Sequence, residues 1–250
     1  MSAFIQVQAS ASWPSASQLW IAGTVTALFA VLARAVRGVS RSGALAGAVV
    51  CFLLYAGAGR GAFLALVSVF ALTWISTRFG YRRKVKLGTA ETNHGRTASQ
   101  VLANVAIAGI CAGLSPFFAA KTALWLAASA ALSEAAGDTV SSEVGQVFSQ
   151  QPRLITTWEQ VPAGTDGAIS GIGALSGVLA ATLVSIVCAL GGLVKPRQIP
   201  LSVLAAILGI TADSLLGALL ERRSMLNNDA VNFISTATAA TAAFLLVRAV

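Results

Sequence analysis

The chain is short of almost everything that a water-soluble protein displays. Only 10% of its 250 residues are charged, and just nine of those are acidic. Its 56% of hydrophobic residues come in runs too continuous for the 3.6-residue stripe of a soluble amphipathic helix, which excludes a soluble domain. The single histidine, His94, has no second His or Cys at ligand spacing, which argues against zinc and against a His–carboxylate catalytic pair. Cys51, Cys111 and Cys188 all fall inside apolar runs and make neither a disulfide framework nor a metal spacing. The opening "MSAFIQVQASASWPS" lacks a basic residue before its first apolar run and lacks a small-residue cleavage site, so that run is expected to be retained.

What is present is apolar sequence. Runs of about 17 residues or more are long enough to cross a bilayer. Eight occur, at roughly 17–34, 43–58, 61–77, 98–114, 118–136, 168–194, 200–218 and 230–248. They predict an all-α polytopic transmembrane bundle of about eight spans, a single membrane domain over 1–250 with residues 1–16 as an N-terminal extension. Only the tight turn "AGAGRG" separates the second span from the third.

The net charge of +8 follows topology. Arg34, Arg37, Arg41, Arg78, Arg82, Arg83, Lys84, Lys86, Arg96, Arg153, Arg222 and Arg223 fall in the odd-numbered connections, against Arg60, Lys121, Lys195, Arg197 and Arg248 on the other side. The excess puts the odd connections in the cytoplasm and the N-terminus outside. The basic balance then points to anionic lipid headgroups and not to nucleic acid. The absence of a transit segment favours a bacterial-type inner membrane.

Three polar clusters face the predicted cytoplasmic side. In "SEAAGDTVSSE", Glu134 and Asp138 lie four residues apart and share a helix face. Two carboxylates so placed repel at membrane depth unless a cation sits between them, a need that Mg²⁺ (or Mn²⁺) meets. Glu143 either ends the helix at the interface or joins that site; a continuous helix turns it about 180° from Glu134. The turn "PAGTDGAIS" precedes an apolar helix, and its Gly164, Thr165, Gly167 and Ser170 form either an anion-binding turn or part of a small-residue packing region with Gly173 and Gly177. Asp213 lies within apolar sequence, where a short carboxylate is a functional candidate by default. Beyond it Asn227, Asn228, Asp229 and Asn232 offer oxygen ligands and amide donors, or else cap the last helix. Arg96, Gln100 and Asn104 recur every four residues along the fourth span, and Arg suits bidentate phosphate binding.

The segments "RTASQVLANV", "GDTVSSEVG", "PRLITTWEQVPAGTDGAIS", "DSLLGA" and "NNDAVNF" resemble, in order, the motifs of the domain-of-unknown-function 92 family, also called the transmembrane protein 19 family. The resemblance runs from about Arg41 to the last span. This integral-membrane family includes the plant phytyl-phosphate kinase, so it implies an isoprenoid monophosphate kinase that uses a nucleoside triphosphate. The layout of "GDTVSSEVG", the glycine turn and "ADSLLGALLERR" is also similar to membrane cytidylyltransferases and dolichol kinases, which implies CTP as donor and Mg²⁺ held by Asp138, Asp213 and Asp229. Gly137 and Val140 depart from that pattern and bear on substrate fit.

The expected mechanism is in-line phosphoryl transfer. Asp138 and Asp213 hold the metal with Glu134 or Glu143 and Asp229, while the glycine turn and Arg96 take phosphate oxygens. Asn104, Asn227, Asn228 and Asn232 orient ligands. A homo-oligomer is compatible with the sequence. The competing expectation is a cation- or proton-coupled transporter of lipids or small molecules, which would place its carboxylates near the midplane.

Overall fold

A backbone in lipid must satisfy its own hydrogen bonds, and this chain does so with helices. The computed structural model describes residues 14–90, 94–149 and 151–249, so most of the expected N-terminal extension lies outside the described residues. In order come α1 (Ala16–Ala35), α2 (Arg41–Arg78), α3 (Tyr81–Leu87), α4 (Ala98–Leu114), α5 (Lys121–Phe148), the short pair β1 (Arg153–Leu154) and β2 (Ala168–Ile169), α6 (Gly171–Leu190), α7 (Ile199–Leu216) and α8 (Asn228–Ala249). The two strands pair antiparallel, Arg153 opposite Ile169.

The helix starts are written locally. Ser15, Ser40, Thr97 and Ser170 each accept a hydrogen bond from a backbone N–H of the first turn, and Ser15 and Thr97 complete capping boxes with Gln18 and Gln100. The 38 residues of α2 would measure about 57 Å if straight, nearly twice a bilayer's hydrocarbon core. They double back instead at Gly59, whose φ of +78° is open to glycine at little cost. The return is visible in the indole of Trp74, which donates to the Val36 carbonyl at 3.1 Å, and in the Tyr55 and Phe63 rings, 5.9 Å apart. The second and third predicted spans are therefore the two arms of one hairpin.

Among the described residues six helices are long and apolar enough to cross a membrane. The second arm of α2 and the buried α5 complete the all-α bundle of about eight crossings. α5 is its axis, touching α2, α4, α6, α7 and α8, and every residue from Leu126 to Gly137 is buried. A helix surrounded on all sides needs small residues where neighbours come close. Gly137 and Gly177 face each other across α5 and α6, where a Cβ on either would stand 3.0 or 2.8 Å from the other's carbonyl oxygen. Gly173 meets Ser141 in the same seam, so Gly173 and Gly177 are a packing face. At the periphery, α1 exposes Trp20, Leu28, Val31 and Leu32 as a lipid-facing helix does.

The helix of the fifth span outlasts its apolar run, which decides the alternative that the sequence left open. The apolar run fades at 136, but the helix continues to Phe148. Its last carboxylate, Glu143, is ion-paired with Lys84, so the backbone has no need to leave the helix to bring that charge to water.

One end of the bundle is tied together by contacts between distant segments. Arg96 bridges to Val39, Gly80 packs on Val147, Gly164 on Thr89, and Gly167 on Ala218. At the opposite end Gly57 packs on Ala112 and Gly61 on Gly191.

Candidate functional site

Five of the chain's nine acidic residues form a ladder from the middle of the bundle toward the tied end. Glu134 and Asp138 come from one face of α5, and Asp213 comes from α7. The close approach rests on Gly209, one turn before Asp213. A Cβ there would stand 2.6 Å from Glu134 Cγ and 2.8 Å from the Ser235 carbonyl, so only glycine lets α5, α7 and α8 meet at this level. Asp213 and Asp138 are within hydrogen-bonding reach of each other, and the charges of both act on Glu134. The Ser235 hydroxyl of α8 lies within hydrogen-bonding reach of both Glu134 and Asp213.

Past Leu216 the helix widens into a π turn, Gly217–Glu221, and Arg222 N–H reaches back five residues to the Gly217 carbonyl at 3.2 Å. Such turns re-aim side chains. Here it brings Glu221 within range of Asp213 and Asp138, and Asp166 of the glycine turn acts on Glu221 in its turn. Sequence reasoning passed over Glu221 and Asp166, although both lie in segments it singled out. Eight residues separate Asp213 from Glu221, which would stand about 80° apart around an ideal α-helix.

Glu134 is 1% exposed, and its Oε1 and the Oδ2 of Asp213 are buried without a hydrogen-bond partner. Unpaired buried carboxylate oxygens are costly and call for a cation or a proton. A Mg²⁺ bound through one or two carboxylates, and otherwise by water and phosphate oxygens, fits Asp138 and Asp213. Among the described residues no three His, Cys, Asp or Glu side chains come together as a metal cage. The wider set of Glu134, Asp138, Glu143, Asp213 and Asp229 is therefore not assembled around one ion.

Glu143 has a different partner. It lies across the continuous helix from Glu134 and is ion-paired with Lys84 of α3, Nζ to Oε2 2.5 Å. Asp229 sits on the first turn of α8, six residues and about 9 Å of helix before Ser235. The charge of Arg96 acts on Asp138, and those of Asp138 and Glu221 act on Asp213.

The glycine turn also departs from expectation. Thr165 N–H and Oγ1 both donate to the Pro162 carbonyl, at 3.2 and 2.8 Å, and Ala168 N–H donates to Thr165 O at 3.0 Å. Those three donors serve the turn itself. Gly164 and Gly167 adopt φ of +88° and +73°, and Gly167 lies so close to the π turn that a Cβ would collide with Ala218. Ser170 caps α6 by accepting from Gly173 N–H at 3.1 Å, and Asn227 Oδ1 caps α8 by accepting from Ala230 N–H at 2.9 Å. Asn228 is exposed, and the Asn232 carbonyl accepts from the Ser235 and Thr236 hydroxyls.

Arg96 is the cation whose charge acts on Asp138. Its backbone is clamped to the α1–α2 connection, N–H to Gly38 O at 3.1 Å and carbonyl from Ser40 N–H at 2.9 Å. Arg96 also lines a cavity of about 430 Å³ between α1, both arms of α2, α4 and Ala135 of α5. Asn104 is buried in that wall and donates to the Gln100 carbonyl at 2.8 Å.

Relatives agree with this architecture. The model of the integral membrane protein family DUF92 matches residues 24–240. The chain is similar to an uncharacterized membrane protein of Methanocaldococcus jannaschii, 34% identical over 88% of this chain and 90% of that protein. A Synechocystis membrane protein is 33% identical over 75% of this chain and 74% of its own. The chloroplastic protein VTE6 of Arabidopsis thaliana is 31% identical over 84% of this chain and 66% of its own. No solved structure gives a significant match.

Proposed function

The chain belongs to the integral membrane family DUF92, and on that premise we propose that it is an isoprenoid monophosphate kinase, moving a phosphoryl group from a nucleoside triphosphate to a lipid phosphate. The observation that carries the reading is the meeting of Asp138 and Asp213, with Arg96 between that acidic pair and a cavity reaching toward the apolar part of the bundle. Kinship with VTE6, and the resemblance of the motifs to a family that contains phytyl-phosphate kinase, support the same reaction.

In the reaction a non-bridging oxygen of the lipid phosphate attacks the γ-phosphorus. The bond from that phosphorus to the β-bridging oxygen breaks, and the nucleoside diphosphate leaves. The acceptor is already ionised, so the step needs no general base, in keeping with a site that has no histidine. Mg²⁺, when bound, would neutralise charge on the donor phosphates. Asp138 and Asp213 are the residues that would hold it, and Glu134 and Glu221 keep the surroundings negative enough to retain it. Arg96 holds the acceptor oxygens next to the acidic pair while drawing Asp138 into position. The nucleotide, CTP by layout, would approach from the tied end of the bundle, the cytoplasmic side on the positive-inside count. A bacterial inner membrane suits such a chain.

Purified protein given phytyl or geranylgeranyl phosphate, Mg²⁺ and each of ATP, CTP, GTP and UTP in turn should yield the lipid diphosphate with at least one. Asp138→Asn and Asp213→Asn should each lower the rate by at least about a hundredfold. No diphosphate with any pair, or full activity in both variants, would sink the proposal.

A second reading, ion-coupled transport, draws on one observation. Glu134 stands about 20 Å along a helix about 42 Å long, near the middle of the bundle. Beneath it a buried hydroxyl chain runs Ser133–Ser185–Ser202–Ser129 with links of 2.9, 3.0 and 2.9 Å. Proteoliposomes that accumulate lipid phosphate under a proton gradient without nucleotide would favour it.

A further inference from the structure

The cavity beside Arg96 has a polar end and an apolar end. Arg37, Arg78 and Arg96 line it where the helices meet the tied end, whereas Phe29, Leu66 and Phe70 line it deeper. From Leu66 to Arg78 the wall covers about 18 Å of helix. Its volume lies within the roughly 300–1,000 Å³ of small-molecule sites. Arg37, Arg78 and Arg96 are the charged residues among its described lining residues, and the carboxylate on which Arg96 acts, Asp138, is not one of them. A cleft lined by one sign of charge concentrates the opposite sign.

Two of those arginines are held in ways that packing alone does not require. Arg78 is stacked over the Trp74 ring at 4.2 Å and donates to the Val36 carbonyl at 3.0 Å, which fixes its guanidinium at the rim. Arg37 ends α1 in a Schellman turn, its N–H bonded to Arg34 O and that of Gly38 to Ala33 O, each at 3.0 Å. The position adopts φ of +56°, where glycine is the usual occupant and an arginine is strained. Strain kept at a cavity rim is the mark of a side chain retained for what it binds.

We infer that this cavity is the binding site for a single-chain isoprenoid monophosphate, with its phosphate among Arg37, Arg78 and Arg96 and its first apolar units between Phe29, Leu66 and Phe70. The anion and the apolar chain follow from the cavity; the choice of an isoprenoid rests on the kinase reading. Bound there, the phosphate shares Arg96 with Asp138, one of the two carboxylates that would hold the donor's metal.

The test is binding without nucleotide or metal. Geranylgeranyl monophosphate is titrated into the purified protein in detergent, and the fluorescence change that Trp74→Phe removes is followed. Saturable binding is expected, with geranylgeraniol at least about tenfold weaker, since a charge-assisted phosphate contact is lost. Inorganic phosphate and phosphatidic acid at matched concentration should not displace the ligand. Arg37→Gly should weaken binding roughly tenfold while the unfolding temperature holds or rises. Gly47→Leu, which projects into the cavity, should weaken geranylgeranyl phosphate more than geranyl phosphate. Equal binding of the alcohol, displacement by phosphatidic acid, or unweakened binding by Arg37→Gly would overturn the inference. Binding without turnover would leave the cavity standing and remove the kinase. Turnover unaffected by Arg37→Gly and Gly47→Leu would do the reverse.

Discussion

Lys84 and Glu143 offer the sharpest test of how this fold separates structural acids from chemical ones. Lys84 is 1% exposed and Glu143 12%. The ammonium donates to Glu143 and to the Ser76 and Thr77 carbonyls at 3.0 and 2.5 Å, the last turn of α2, where a positive charge also suits the helix end. Glu143→Gln leaves the buried ammonium facing neutral oxygens in place of its described carboxylate partner. Breaking one side of a buried ion pair costs about 3–5 kcal/mol, and the residual exposure of Glu143 sets the expectation at the lower end, about 3 kcal/mol. Lys84→Met should cost at least as much, because it also orphans two helix-terminal carbonyls. The double variant Lys84→Met/Glu143→Leu should recover much of the loss, since apolar residues of similar volume often replace a buried pair at little cost. Reversible unfolding in mixed micelles, with Mg²⁺ and nucleotide titrations of each variant, measures both consequences. Glu143→Gln should leave Mg²⁺ dependence unchanged. If it instead abolishes the Mg²⁺ response while stability is untouched, Glu143 is a metal ligand and the division drawn here is wrong.

Three further outcomes follow from named contacts. Gly209→Ala should destabilise by about 1–3 kcal/mol through overpacking against Glu134 and Ser235 and should depress activity along with stability, both readable in one purified sample. Gly167→Ala combines a positive φ with a collision at Ala218, so it should release the glycine turn from the π turn, seen as faster proteolysis of the loop after α5. Ser185→Val removes the hydroxyl joining Ser133 to Ser202 and should cost about 1 kcal/mol in micelle unfolding; an unchanged value would mean that these helices repack around the gap.

Local sequence was enough for the all-α membrane architecture. Uninterrupted apolar runs mark the spans, the AGAGRG stretch marks the hairpin turn that Gly59 makes, and the four-residue interval puts Glu134 and Asp138 on one face. The motifs likewise carried the family. Periodicity fixes the face on which a residue stands, but the neighbour beyond that face comes from another part of the chain. Only the packing of α7 through Gly209 set Asp213 against Asp138, and only the π turn swung Glu221 toward them. The same packing gave Glu143 to Lys84, and hydrogen bonds at the helix starts took Ser170 and Asn227 as caps. A carboxylate in lipid must find a partner, and which partner lies within reach is decided by the tertiary fold.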